Sequence, residues 1–251
     1  MVHTHERWEA PPPAIGLDAA EVHLWCAGDS PPDRQLQELA SILSADERRR
    51  AGRFAKDHLK RRYIAGRGLL RTVLCRYLER GPETIRITYG SAGKPCLADA
   101  QPGDALFFNL SHSGNVILFG VTRGGEIGID IEYIKKSIRA EKLARRFFSL
   151  HEHAYISSLP ARHQHEAFYR AWTRKEAFLK ATGRGIAGIE DIEVTLAPDA
   201  PPSIISINGS PPPPEQWTMR DIRIPAPGYA GALVCESQAP RLSGFILEPW
   251  A

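Results

Sequence analysis

No stretch of this chain approaches the ~18 consecutive apolar residues that a membrane span requires; the longest run, residues 116–121, is six residues long. A membrane-spanning protein is therefore not expected. The N-terminus carries His3, His5, Glu6, Arg7 and Glu9 where a secretory signal would have its apolar centre. The four cysteines, Cys26, Cys75, Cys96 and Cys235, are scattered without CxxC spacing. Neither a disulfide framework nor a structural zinc is expected of them, and a reducing cytoplasm is the compartment they suit. No GxxxxGK[ST] loop occurs, which removes the P-loop NTPases. Two H-x-H pairs, His151/His153 and His163/His165, do not make a transition-metal site, because that spacing on a helix turns the two imidazoles apart.

What is present is the material of a packed protein: 43% hydrophobic and 24% charged residues in 251, a size open to one large domain or two half-size ones. Net charge is only +3, but it is unevenly placed. Residues 44–80 hold twelve lysines and arginines against four acidic residues, a local +8 that leaves −5 for the remainder. A block this basic attracts a polyanion, either nucleic acid or a small ligand with several phosphates; a helix with a solvated arginine face is the plainer alternative.

Along the chain, residues 1–20 with Pro11, Pro12 and Pro13 read as a loose arm, followed by a strand at 22–27. Helices then dominate to residue 80. Ser44-Ala45-Asp46-Glu47 has the S-x-x-E form of a capping box, in which the two side chains satisfy backbone N–H groups at a helix start. Strand-like runs follow at 84–89, 106–110, 116–122 and 126–133, with Arg123-Gly124-Gly125 as a hairpin turn between the last two. A second capping box, Ser149 to Glu152, opens a helical block to Thr182, and Gly183 suits its exit. Short strands at 192–196, 204–207, 218–224 and 232–235 complete the pattern, with prolines 211–214 as a rigid connector. The two capping boxes lie 105 residues apart, so two related α+β halves with a cleft between them are expected.

Two segments carry candidate chemistry. In Gly-Ile-Asp-Ile-Glu at 128–132, alternation puts Asp130 and Glu132 on one strand face with Cβ atoms ~7 Å apart. They are either solvated or converge on a hard cation, magnesium or manganese, with Gly128 leaving room for a ligand. At 168–180, helical spacing makes Glu176 and Lys180 an i,i+4 pair. This is either an ordinary surface pair or a third carboxylate with a cation for a phosphoryl oxygen one turn on. Asn109-Leu110-Ser111-His112-Ser113 closes a strand with hydroxyls and one imidazole, and Gly93-Lys94-Pro95 places a lysine in a turn.

Taken together, these elements resemble the Sfp-type 4′-phosphopantetheinyl transferases from Arg50 to about Gly185. The resemblance rests on the Gly-Ile-Asp-Ile-Glu strand at 128–132 and the Trp-x-x-Lys-Glu-Ala-x-x-Lys helix at 172–180. Arg146-Phe147-Phe148-Ser149, the 109–113 stretch and Gly93-Lys94-Pro95 add to it. It implies an enzyme that moves phosphopantetheine from coenzyme A to a serine of an acyl or peptidyl carrier protein, leaving adenosine 3′,5′-bisphosphate. By the same resemblance Asp130, Glu132 and Glu176 are magnesium ligands (manganese being possible), and Glu176, Lys180 and His112 are catalytic. Arg50, Arg62, Lys94, Ser111, His112 and Lys180 are then coenzyme A contacts, with Arg50 and Arg62 on the 3′-phosphate. Glu47 stands where relatives often have lysine. The expected fold is α+β, two similar α/β subdomains related by a pseudo-twofold, with the active site in the cleft between them. After the arm of 1–20, the expected N-terminal subdomain spans 21–122 and the C-terminal one, carrying the metal motifs, 123–251. A monomer in the cytoplasm is expected, with a carrier protein and coenzyme A as partners and neither nucleic acid nor membrane. The alternatives are a basic nucleic-acid-binding module, disfavoured because residues 44–80 interleave only Phe54, Tyr63 and Tyr77, or another magnesium-dependent nucleotide transferase.

Overall fold

The computed structural model describes residues 7–98, 105–212 and 217–247. Residues 1–6 of the expected arm and part of the proline connector at 211–214 lie outside the described residues. The chain opens with a two-residue strand β1 (Trp8–Glu9). The first half follows as β2 (Glu21–Gly28), α1 (Asp33–Ser41), α2 (Ala45–Gly52), α3 (Asp57–Leu78), a hairpin of β3 (Ile87–Tyr89) and β4 (Pro95–Leu97), then β5 (Phe107–Ser113) and β6 (Val116–Thr122). The second half runs β7 (Ile127–Tyr133), α4 (Ala140–Phe147), α5 (Leu150–Ser158), α6 (Ala161–Thr182), a hairpin of β8 (Ile192–Val194) and β9 (Ile204–Ile207), then β10 (Thr218–Asp221) and β11 (Tyr229–Cys235). Strand β12 (Arg241–Ile246) ends it.

The halves share one topology. Each has its first strand beside its last, and the last beside the one before it: β2-β6-β5 in one sheet and β7-β11-β10 in the other. The long helices α3 and α6 are both 22 residues and begin 104 positions apart. Both capping boxes form, and each glutamate goes on to a second task. Glu47 Oε2 accepts from Ser44 N (2.9 Å) and from Arg71 Nε (2.7 Å); Glu152 Oε2 accepts from Ser149 N (2.9 Å) and pairs with Lys175 Nζ (2.6 Å). Further hydrogen bonds help these buried charges hold, although Glu47 Oε1 has no partner among the described atoms. Arg71 also donates to the Pro82 and Ile85 carbonyls, and Glu152 Oε1 accepts from Val194 N. The S-x-x-E signal thus marks a strut that ties a short helix to the buried side of the long helix in each half. Glu47, where a phosphate-binding lysine was a possibility, is part of this strut.

Apolar alternation stacks the halves. Trp25, Ala27, Phe119 and Val121 lie under α1 and α3, while the opposite face of the same sheet, with Val22, Leu24, Cys26, Val116 and Leu118, meets Ile127, Ile129, Ile131 and Leu233 of the second sheet. On the far side, Ala232 and Val234 lie under Ala177, Phe178 and Ala181 of α6. The result is four layers: helices, sheet, sheet, helices. No helix among the described residues is long and apolar enough to cross a membrane.

Several sequence expectations need correction. Residues 123–125 do turn, but not into a hairpin: β6 pairs with β2 and β5, whereas β7 pairs with β11. The three isoleucines of β7 gain more by facing the first sheet than by lying beside β6. The helical block to Thr182 breaks at Pro160 into α5 and α6. The expected strand at 84–89 shortens to β3, preceded by a 3₁₀ turn at Pro82–Thr84. Within the expected arm, β1 pairs with β12, and β12 lies parallel to β2. The last strand therefore sits in the sheet of the first half rather than in the 123–251 subdomain.

Gly128 is the sharpest correction. A Cβ there would fall onto the Ala177 carbonyl oxygen and the Ala181 amide of α6, well inside van der Waals contact. This glycine makes room for a helix backbone, not for a ligand. Gly128→Ala is expected to destabilise the protein by at least about 1–3 kcal/mol, read as a lower midpoint in equilibrium denaturant unfolding; an unchanged midpoint would show that α6 does not approach β7 this closely.

Candidate active site

Strands β5 and β7 are both sheet edges, and an edge leaves backbone N–H groups to be satisfied. Here side chains do it. Asn109, Ser111 and Ser113 alternate on one face of β5, and their oxygens accept from the N–H groups of Ile129 (3.0 Å), Ile131 (3.2 Å) and Tyr133 (3.0 Å). Each serine then turns its own hydrogen onto a carboxylate of β7. Ser111 donates to Asp130 Oδ1 at 2.8 Å and Ser113 to Glu132 Oε2 at 2.6 Å. The seam that joins the two halves is also what orients the two acidic side chains.

Asp130 is 4% exposed. Its charge is met by Lys180 of α6, whose Nζ lies 2.6 Å from Asp130 Oδ1 and 3.0 Å from Ser111 Oγ. The helical spacing suggested Glu176 as the partner of Lys180; the tertiary structure gives the lysine to β7 instead. With one N–H and one ammonium donating to it and its hydrogen given to Asp130, the Ser111 hydroxyl has used its bonding capacity. It orients neighbours rather than offering a free contact.

Three carboxyls titrate abnormally. Burial raises the pKa of Asp130 against the lowering effect of Lys180, and burial raises Glu132 against its bond from Ser113. Glu176 is pushed up to about 7, first by burial and then by the charges of Asp130 and Glu132. Asp130 Oδ2 is buried with no hydrogen-bond partner among the described atoms. Three oxygen donors that repel one another, one with an unsatisfied buried lone pair, fit a hard cation. As they stand they do not converge: among the described residues no group of three His, Cys, Asp or Glu side chains is placed to hold a metal.

His112 projects from the opposite face of β5, so strand alternation splits the 109–113 stretch between two environments. The ring retains an exposed edge, yet the protein around it and the charges of Arg62 and Lys180 hold its pKa below the usual value. Arg62 is held in place by Asp29 (Nε to Oδ2, 2.6 Å) and donates to the Gly114 carbonyl at 3.0 Å. Arg50 lies elsewhere. It stands 5.6 Å from the centroid of the Tyr63 ring and lines a cleft of about 1180 Å³ with Arg49, Arg53, Arg86 and Tyr89. Lys94 pairs with Glu126 and donates to the Ala181 carbonyl at the end of α6 (2.9 Å), clasping the β3–β4 hairpin to the second half. The structure thus brings Asp130, Glu132, Glu176, Lys180 and Ser111 together with His112 and Arg62 close by, and puts Arg50 and Lys94 at separate points. Sequence reasoning missed Ser113 and Asp29. The alternation of Asn109, Ser111 and Ser113 was a usable signal for the first; a lone aspartate after a strand gave none for the second.

Comparison with known proteins points one way. Residues 126–234 match the model of the 4′-phosphopantetheinyl transferase superfamily, and residues 28–122 match that of the 4′-phosphopantetheinyl transferase N-terminal region. The chain is 46% identical over 194 residues to the 4′-phosphopantetheinyl transferase HetI of a Nostoc species, covering 77% of this chain and 82% of that protein. It is 31% identical over 171 residues to the transferase ffp of Bacillus subtilis, covering 68% and 74%, and 40% identical over 136 residues to AcpT of Escherichia coli K12, covering 54% and 65%.

Two outcomes follow from the electrostatics. Lys180→Ala leaves a buried carboxylate unpaired, a loss of about 3–5 kcal/mol for a fully buried pair and less here because the lysine side chain is 28% exposed. Thermal melts should show Lys180→Ala well below wild type and Asp130→Asn/Lys180→Ala partly restored; a wild-type melt for the single variant would mean the pair does not form. For pH, carboxyls with raised folded pKa values bind protons that the unfolded chain has released, so stability falls as pH rises through those values, to about 7 for Glu176. Without divalent cations, denaturant unfolding should give a lower midpoint at pH 8 than at pH 5.5, and Glu176→Gln should shrink the difference.

Proposed function

Because the chain belongs to the 4′-phosphopantetheinyl transferase superfamily, we propose that it transfers the phosphopantetheine arm of coenzyme A to a serine of an apo acyl or peptidyl carrier protein, releasing adenosine 3′,5′-bisphosphate. The observation that carries this reading is the buried Lys180–Asp130 pair flanked by Glu132 and Glu176, a costly concentration of charge with an unsatisfied oxygen at its centre.

In this reading Asp130, Glu132 and Glu176 hold magnesium, with manganese as a substitute, and Asp130 Oδ2 is a ligand atom. When bound, the cation offsets negative charge developing on the pyrophosphate oxygens, an effect of several kcal/mol. Lys180, held by Asp130 and Ser111, presents a compact ammonium to a phosphoryl oxygen. His112 is kept largely neutral and serves as a hydrogen-bond donor beside the Arg62 guanidinium. Arg62 receives the 3′-phosphate, Arg50 offers a further cation from its own cleft, and Lys94 is another coenzyme A contact once it is released from Glu126. The carrier serine oxygen forms a bond to the β-phosphorus while the bond to the adenosine bisphosphate oxygen breaks. The serine proton passes to Glu176, directly or through water; the raised pKa of Glu176 belongs to the cation-free site, and a bound dication would lower it and make the carboxylate a weaker base. The site lies at the junction of two halves of one chain, so a monomer suffices, and a cytoplasmic location suits four unpaired cysteines. We propose 122/123 as the boundary between the subdomains, with β12 returning to the sheet of the first half.

The test is mass spectrometry of apo carrier proteins from fatty-acid, polyketide and peptide synthesis after incubation with the enzyme, coenzyme A and magnesium. A phosphopantetheine adduct on at least one is expected, and none on any would overturn the proposal. Asp130→Asn and Glu132→Gln should each lower the transfer rate by orders of magnitude while remaining folded by circular dichroism. Near-normal turnover by either at limiting magnesium would remove that residue from the metal site.

A further inference from the structure

Ser113 closes β5, and its hydroxyl is fixed at both ends: it accepts from the Tyr133 N–H at 3.0 Å and donates to Glu132 Oε2 at 2.6 Å. A serine hydroxyl has a single hydrogen and an ionised carboxylate can only accept, so at 2.6 Å that hydrogen is committed to Glu132 while a lone pair takes the Tyr133 N–H. The backbone that carries it is clamped from both halves of the protein. Arg62 of α3 donates to the carbonyl of Gly114, the next residue, and Asp29 N donates to the Asn115 carbonyl at 3.0 Å. From the other half, Tyr229 of β11 donates to Asn115 Oδ1 at 2.8 Å and accepts from Asn115 N at 3.2 Å. Gly114 has φ +57°, and a Cβ there would collide with the Tyr229 hydroxyl, so the turn takes this shape only with glycine.

We propose that Ser113 is a positioning residue for Glu132, holding one carboxylate oxygen so that the other is presented to the cation, and that the β5–β6 turn makes this orientation depend on the Arg62 side of the site. The inference rests on the metal-binding reading above. Glu132 lies near the end of an edge strand and is only partly buried. A free glutamate there would sample several rotamers, and a hydrogen bond to a clamped hydroxyl removes that freedom before a ligand arrives. His112, one residue earlier, points to the other face, so a ligand resting on Arg62 and His112 bears on the same turn that sets Glu132.

The experiment compares wild type with Ser113→Ala, Ser113→Thr and Ser113→Cys. Manganese binding is measured by electron paramagnetic resonance in the presence of coenzyme A, and transfer kinetics are measured as magnesium is varied. Losing a bond that orients a metal ligand weakens binding by about 10- to 100-fold. Ser113→Ala should therefore show manganese affinity reduced by that factor and a matching rise in the magnesium needed for half-maximal rate, with the KM for coenzyme A unchanged once magnesium is saturating. Ser113→Thr, which keeps the hydroxyl, should restore both. Ser113→Cys fills the same space with a weak donor and gives the same reading if the alanine variant does not fold. Wild-type manganese affinity in the alanine or cysteine variant would overturn the role of Ser113 alone, even if the melting temperature falls. A wild-type enzyme that transfers phosphopantetheine but binds no manganese would overturn the metal reading and this inference with it.

Discussion

Everything in this protein turns on how two sheet edges are closed against each other. β7 does not pair with β5 as a strand: the two are edges of different sheets, which stack through the isoleucines of β7. Three backbone N–H groups of β7 are nevertheless turned toward β5, and left unmet in a partly buried seam each would cost about 1–3 kcal/mol. Asn109, Ser111 and Ser113 supply the missing acceptors. A serine hydroxyl can accept there and still donate, and the donation falls on Asp130 and Glu132. The contact that holds the halves together therefore fixes the carboxylates, and neither task can be altered alone.

The internal duplication shows why there is one such site and not two. Trp25 of β2 stands where Asp130 stands in β7, and Arg76 of α3 where Lys180 stands in α6, each at an offset of 104 or 105 residues. The spatial relation persists: the Arg76 guanidinium lies 5.3 Å from the Trp25 ring centroid, as Lys180 lies on Asp130. In the first half, however, a cation rests on an aromatic face, and Phe245 of β12 closes against Trp25 at 4.9 Å. Thr72, the counterpart of Glu176, spends its hydroxyl on the Gly68 carbonyl one turn back. The first half is sealed by packing, and the second keeps charge it cannot neutralise internally.

The struts Glu47–Arg71 and Glu152–Lys175 show how such charge is tolerated at all. Both are buried and both carry further hydrogen bonds, Arg71 to the Pro82 and Ile85 carbonyls and Glu152 Oε1 from Val194 N, although Glu47 Oε1 has no partner among the described atoms. The Lys180–Asp130 pair is buried to a similar depth on the aspartate side, and Asp130 Oδ2, like Glu47 Oε1, has no partner among the described atoms. What sets the Asp130 pair apart from the struts is the company of two more carboxyls, Glu132 and Glu176, whose charges act on one another and mark the place where a ligand is to be received.

By itself the sequence determined the parts that depend on neighbours in the chain. The capping boxes at Ser44 and Ser149, the long amphipathic helices, the left-handed exit at Gly183 and the shared face of Asp130 and Glu132 all follow from local hydrogen bonding and side-chain period. The repeat offset between the boxes also announced two halves with one topology. Tertiary structure alone decided the partners. Helical spacing offered Glu176 to Lys180, but a desolvated Asp130 one layer away binds the lysine more strongly than a carboxylate on the same helix. Gly128 invited a ligand, but what fills the space is the backbone of α6. The turn at 123–125 was legible while the sheet it leads to was not, and β1 and β12 escaped notice because pairing with a distant strand, not their own composition, makes them strands. Period and capping are set by atoms a few residues apart; desolvation and edge closure depend on which distant groups are brought together, and no local pattern encodes that.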